Sequence, residues 1–375
     1  MTLGGTVLCC PDKFRGTLTA REAAAALAAG VRRAGREAIE LPLADGGEGT
    51  LDVLCPRVAQ RRMSRVTGPL GEPVNAEWGL RDGSAVVEMA RASGLALVEA
   101  NDPLAATTRG TGELILEALH SGARHVVVAV GGSATTDGGL GALEALGFDL
   151  RGAAVEVACD VTTRFVDAAR VFGPQKGASA VDVEVLEERL ERLAERYLAE
   201  TGRDVRGLAG GGAAGGLAGG LAALGATLVP GAPLVAGLVG LRGRLRDTEL
   251  VLTGEGRLDA TSFAGKAVGH VLAEAEAAAV DAAVVAGEVV RTEVPAGVRA
   301  LSLVERAGSA TRAKAQASIL VSELAVELSV GNPWFPHEPP PPATGGAGDP
   351  SASRAAKPPS GVPLTGQPGS ALETG

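Results

Sequence analysis

The residues whose types and spacing carry the most chemistry lie between Val126 and Gly139, in VVVAVGGSATTDGG. Val126 to Val130 is β-branched and apolar enough to be a buried strand. The chain then opens through Gly131, Gly132 and Ser133, passes Thr135, Thr136 and Asp137, and reaches Gly138-Gly139 before a helix-like run. Glycines let backbone N–H groups approach a ligand closely, and a helix N-terminus adds positive potential, so this arrangement suits an anion. A carboxylate inside such a loop is out of place unless a metal ion or a proton transfer needs it. The loop therefore points to phosphate and Mg²⁺.

The same vocabulary recurs in LADGGEGT (Leu43 to Thr50), AGGGAAGGLAGG (Ala209 to Gly220) and VLTGEGRLD (Val251 to Asp259). Three of these four loops set acidic residues beside glycine. One Gly-Gly pair is usually only a turn, but 54 glycines in 375 residues is about twice the usual share and favours a shared ligand. The Gly210 run is read equally well as tight helix packing. Cations are placed to help. Lys13 and Arg15 follow the first predicted strand, where an open sheet binds anions. Arg109 lies among hydroxyls and glycines just before a helix, and Lys176 sits in the turn Phe172 to Gly177.

The elements that must hold these residues alternate. Strands are expected at Thr6–Cys10, Ala38–Leu43, Val126–Val130, Leu250–Thr253 and Ala282–Ala286, and a β-meander at Arg65–Thr67, Val74–Leu80 and Ala85–Met89. Helices are expected at Leu18–Arg33, Leu51–Val58, Gly112–His120, Val181–Thr201 and Ala313–Leu328. Thr19 and Glu22 form a capping box at the start of the first helix, and Leu186, Leu190 and Leu193 mark the buried stripe of the fourth. The 46% hydrophobic content with only 2% aromatics suits α/β packing, and the length suits two domains. The tail from Asn332 to Gly375 holds eleven of the 21 prolines and is expected to be disordered.

Other classes are excluded by composition. A net charge of -9 argues against nucleic acid and anionic membrane as partners. Cys9, Cys10, Cys55 and Cys159 have no CxxC spacing, and His120, His125, His270 and His337 form no i,i+4 pair, so zinc has no support. No apolar run approaches about 18 residues, and the start lacks a signal-peptide pattern, so a cytoplasmic protein is expected. The Gly265-Lys266 pair lacks the other residues of a P-loop. Gly210, Gly212 and Gly215 match GxGxxG, but a poor strand precedes them.

Taken in order, CPDKFRGTLTA, ADGGEGT, VTGPLG, VEMARASGLALV, ATTRGTGELI, VGGSATTDGG, ACDVT, FGPQKGA, GGGAAGG and TGEGRLD resemble the bacterial type I glycerate kinase family over residues 6 to 290. The resemblance implies phosphorylation of D-glycerate by ATP and Mg²⁺, generally to 2-phosphoglycerate. It also implies two interleaved α/β domains, one flavodoxin-like, with the active site in the cleft between them. The expected boundaries are 1–62 plus 235–331 for one domain, 63–234 for the other, and 332–375 for the tail. The triphosphate is assigned to Gly131, Gly132, Ser133 and Gly138, with Lys176, Gly211 and Gly212, and the metal to Asp137 and Glu255. Glycerate's carboxylate is assigned to Lys13, Arg15 or Arg109, and the base is Asp45 or Asp137. The chain departs from the family in lacking a longer insertion between Leu150 and Val155 and in a shorter loop after Asp160. Two alternatives are a nucleotide-binding module that has lost catalysis and an NAD-dependent dehydrogenase. A homodimer is left open.

Overall fold

The computed structural model describes residues 5–330; the Pro-rich tail lies outside the described residues. Eleven strands are found there: β1 (Thr6–Cys9), β2 (Ala38–Glu40), β3 (Arg61–Thr67), β4 (Pro73–Arg81), β5 (Ser84–Glu88), β6 (His125–Ala129), β7 (Ala154–Ala158), β8 (Thr227–Val229), β9 (Thr248–Leu258), β10 (Asp281–Val289) and β11 (Arg299–Ser302). They form two sheets. The first runs β11-β10-β9-β1-β2 and is parallel throughout. Counted by its own strands, this is the flavodoxin-like order, whose direction reverses between β1 and β9. The second runs β3-β4-β5-β6-β7-β8, antiparallel from β3 to β5 and parallel from β5 to β8. The chain enters the first sheet, builds all of the second, and returns, so the protein is α/β with one sheet inserted into the other.

Burial explains which runs became central strands. Val7, Leu8 and Cys9 of β1 and Val126 to Ala129 of β6 are all buried, as strands covered on both faces require. Leu27, Val31, Leu252, Val285 and Leu324 pack one face of the first sheet. Leu8, Leu51, Val235 and Val251 pack the other, and Val86 and Val127 of the second sheet join that same cluster. The two sheets thus share apolar packing.

Local signals account for the helices. Thr19 Oγ1 accepts from the Glu22 N–H at 3.2 Å, and the Glu22 carboxylate accepts from the Thr19 N–H at 2.8 Å, fixing the start of Ala20–Arg33. Helix Ala180–Thr201 starts with an equivalent Ser179–Asp182 box. Its buried stripe adds Tyr197, whose hydroxyl donates to the Gly138 carbonyl at 3.1 Å.

Two expectations are corrected, and the Gly210 run takes its packing reading. Val251 to Asp259 is not a loop: β9 runs on through Gly254 and Gly256. A side chain at Gly254 would collide with the Val285 carbonyl, and one at Gly256 would meet the Arg15 amide, so these glycines serve close approach within a sheet. The Gly210–Gly215 run follows no strand and forms a tight turn, Ala213–Gly216, before helix Leu217–Ala223. Gly219 and Gly220 of that helix press against Phe165 and Gly138, which removes the dinucleotide fingerprint behind the dehydrogenase alternative. The last predicted helix is two, Ala310–Ala315 and Ala317–Val330.

Gly254→Val is expected to destabilise the protein by roughly 1–3 kcal/mol or more through overpacking. Thr19→Ala should cost about 1 kcal/mol, the usual value of an N-cap. Urea unfolding midpoints rank the two; a Gly254→Val protein as stable as wild type would show that β9 has room there.

Candidate active site

In open α/β sheets ligands bind beyond the carboxyl ends of the strands, where the order reverses. Here loops from the carboxyl ends of strands in both sheets surround one cavity of about 650 Å³. Arg15 comes from the loop after β1, Asp45 to Glu48 from that after β2, Gly131 to Ser133 from that after β6, and Cys159 to Val161 from that after β7. Lys176 closes it from the turn Pro174–Lys176. The loops meet backbone to backbone. A Cβ on Gly131 would stand 2.9 Å from the Gly47 Cα, and one on Gly46 would stand 2.9 Å from the Gly231 Cα.

Beside the cavity is a group of charges around the point where the first sheet reverses. The Asp12 N–H donates to the Gly254 carbonyl, which sets Asp12 beside Glu255 of β9. Burial pushes Asp12 up to about 6, with Lys13 opposing and Asp45 adding to the rise. Burial also pushes Glu255 up to about 7; the Ser262 hydroxyl opposes this and Asp12 adds to it. Glu255 Oε1 is buried with no hydrogen-bond partner among the described residues. Asp160, on the cavity wall, is raised to about 6 by burial, although it accepts from the Gly231 N–H at 2.8 Å. Lys13 Nζ donates to the Glu48 carbonyl at 2.7 Å and stands 3.9 Å from Asp45 Oδ1. Lys176 is 3% exposed and donates to the Thr135 carbonyl at 2.6 Å; burial lowers it to about 7.

The structure brings together Asp45, Arg15, Gly131, Gly132, Ser133 and Lys176 on the cavity wall, with Lys13 adjoining. Other candidates point elsewhere. Arg109 pairs with Glu113 one helical turn on at 3.1 Å. Gly138 packs against Leu193 and Phe165, Gly211 against Leu208, and Gly212 against the Arg164 carbonyl. Asp137 is buried: Oδ2 accepts from the Thr108 N–H and hydroxyl at 2.8 Å each and from the Gly141 N–H at 3.3 Å, and Oδ1 accepts from the Gly139 N–H at 3.1 Å. That carboxylate caps the turn into helix Leu140–Leu146. Glu255 lies with Asp12 and not on the cavity wall. Asp12 and Asp160 were missed as site residues. Asp160 directly follows an apolar run that ends in cysteine, and Asp12 follows such a run with only Pro11 between, the signal that could have found them.

Comparison with known proteins places the chain in a family. The glycerate kinase family model matches residues 7–154 and 148–329. The chain belongs to the glycerate kinase family. It is 42% identical to a glycerate 2-kinase of Escherichia coli (strain K12) over 69% of this chain and 79% of that one. It is 39% identical to a glycerate kinase of Bacillus subtilis (strain 168), again over 69% and 79%. A crystal structure from Salmonella typhimurium LT2, of a protein provisionally named glycerate kinase 2, superposes with a TM-score of 0.76 at 34% identity, covering 87% of this chain and 98% of that one. Fold and family together make this chain a kinase.

The two family matches overlap at residues 148–154. That segment is the turn between helix Leu140–Leu146 and β7, held by positive φ at Gly147, Phe148, Arg151 and Gly152. It lies at the amino end of β7, whereas Asp160 follows the carboxyl end. That turn therefore lies at the end of the sheet away from the cavity, whereas the loop after Asp160 lines it through Val161.

The raised carboxyl groups predict a pH dependence. Asp12 and Asp160 near 6 and Glu255 near 7 hold protons that the unfolded chain loses near about 4. The folded protein then binds more protons than the unfolded chain, so stability should fall as pH rises from about 4 to about 7. Lys176 acts in the next window: folded near 7 against an ordinary 10.5, it makes stability recover as pH rises further. Denaturant midpoints of the ligand-free protein between about pH 5 and 9 should trace this valley. Glu255→Gln should flatten its acid side, and an unchanged slope would show that Glu255 is ordinarily acidic.

Proposed function

We propose that the protein transfers the terminal phosphoryl group of ATP to the 2-hydroxyl of D-glycerate in the presence of Mg²⁺, releasing ADP and 2-phosphoglycerate. The observation that carries this reading is one cavity in which Gly131-Gly132-Ser133 faces Asp45, with Lys13 and Arg15 beside it. Phosphoryl transfer needs alignment and charge neutralisation more than covalent chemistry, and the cavity holds groups for each. The glycine loop offers backbone N–H groups to the phosphates, and the buried Lys176 ammonium stands on the same wall. Binding an anion would favour its charged form. Arg15 is exposed and has no hydrogen-bond or ion-pair partner among the described residues, so its planar fork is free for a carboxylate. The name of the Escherichia coli relative supports the 2-position.

A base needs a lone pair open to substrate. Asp137 has four donors on its two oxygens, while Asp45 lines the cavity with one weak bond from the Gly47 N–H at 3.2 Å. We assign the base to Asp45 and give Asp137 the role of holding the phosphate loop. Mg²⁺ takes one or two carboxylates and keeps waters and phosphate oxygens. The orphaned Oε1 of Glu255, with Asp12 adjacent, fits that donor set better than the satisfied Asp137. The ion when bound neutralises charge on the phosphates.

ADP release that requires D-glycerate, with phosphorus NMR of the product, tests the reading. Nucleotide binding without turnover would establish the degenerate module instead. Asp45→Asn should lower kcat by about a hundredfold or more. Asp137→Asn should chiefly destabilise the fold, lowering the unfolding midpoint more than the kcat of the folded fraction. Arg15→Ala should raise the glycerate KM roughly ten- to a hundredfold, as loss of a charge-assisted bond implies. Arg109→Ala should leave it unchanged; the reverse pattern would return the carboxylate to Arg109.

A further inference from the structure

We infer that Glu88 is a positioning residue for the reaction, acting from one sheet on a loop of the other. Glu88 ends β5 in the second sheet and is 2% exposed. A buried carboxylate must be fully bonded to be tolerated. Its Oε1 accepts from the N–H groups of Gly49 and Leu51 at 2.8 Å each, and its Oε2 accepts from Arg91 Nε at 3.0 Å. Gly49 and Leu51 belong to the segment after β2 of the first sheet. Glu88 is also in register with Ala129, two residues before the phosphate loop. One carboxylate therefore ties the base-bearing loop to the strand that carries Gly131.

What it fixes is chemical. The tethered segment begins with Asp45, and its Glu48 carbonyl holds Lys13 Nζ at 2.7 Å. A shift of this loop would move the base and the lysine together while leaving Gly131 to Ser133 in place. Glu88 is itself anchored from behind. Arg91 also reaches Glu77 at 3.4 Å and Asp52 at 3.8 Å, and Arg61 bonds both of those carboxylates. The network crosses between the sheets, so the carboxylate has a fixed post to pull against. The inference rests on the assignment of the base to Asp45 made above.

Glu88→Gln keeps the shape but turns an amide donor toward N–H groups or toward Arg91. Misplacement of a reacting group by about 1 Å can cost up to about a hundredfold, so kcat should fall at least about tenfold and the glycerate KM should rise. The KM for ATP should stay at the wild-type value. Thr19→Ala, which loosens a distant helix cap, is the control: it should lower stability with both KM values intact. The second readout needs no turnover. Glu48 is exposed, so a Glu-specific protease should cut after it faster in Glu88→Gln than in wild type. Kinetic constants per folded molecule equal to wild type, or unchanged cleavage at Glu48, would overturn the inference. If Glu88→Gln does not fold, Arg91→Gln removes the rear anchor and should give the same split, smaller in size; wild-type behaviour there overturns it equally. Wild-type protein that releases no ADP with glycerate would sink the proposed substrate, while the protease arm still decides whether Glu88 holds the loop.

Discussion

The cavity exists because the ends of two sheets come closer together than side chains allow. Gly46 and Gly47 after β2 lie against Gly231 after β8 and Gly131 after β6, backbone against backbone. A Cβ on Gly46, Gly131 or Gly231 would push the loops apart and open the wall that Asp45 and Gly131 share. Apolar packing by Val86 and Val127 holds the sheets together at depth, but it does not set the spacing at the rim. The glycine contacts set it, and the Glu88 carboxylate keeps the glycine-rich segment from drifting.

This close approach has an electrostatic cost. It buries Asp12 beside Glu255, and both Asp12 and Asp160 near Asp45, with Lys13 and Lys266 as partial compensation. Such a set of acids works against folding at neutral pH, and structures retain such strain where a site requires it. A cation bound beside them, as proposed above, would relieve it. Lys176 stands in the opposite situation on the far wall, a buried ammonium with a single carbonyl acceptor.

Much of this was legible in the chain. Strong periodicity and capping gave helices Ala20–Arg33 and Ala180–Thr201 nearly to the residue, because local bonds decide those ends. The strand His125–Ala129 and the glycine break after it were legible because a β-branched strand and a glycine break are both local. Arg109, Gly138, Gly211 and Gly212 were misplaced for one reason: a Gly or Arg reads alike whether it faces a ligand or a neighbouring helix, and only tertiary packing separates the two. The run through Gly254 and Gly256 looked like a turn, since the atoms that require glycine there come from β10 and from the loop after β1. Asp137 attracted attention as a lone acid in an anion loop, but its partners Thr108 and Gly141 are brought to it by the fold.

The insertion of one sheet into the other bears on how the chain is made. Thr6 pairs with Thr248, so the central strand of the first sheet must wait for most of the polypeptide before its neighbour appears. The strands of the second sheet follow one another without interruption and can associate as they emerge. During synthesis β1 therefore has only the short β2 beside it, with its other edge unpaired and apolar. Such an edge is a template for pairing with other chains, and long-range closure is slow. The interleaving that builds the cavity thus also gives the nascent chain a prolonged dependence on whatever shields that edge.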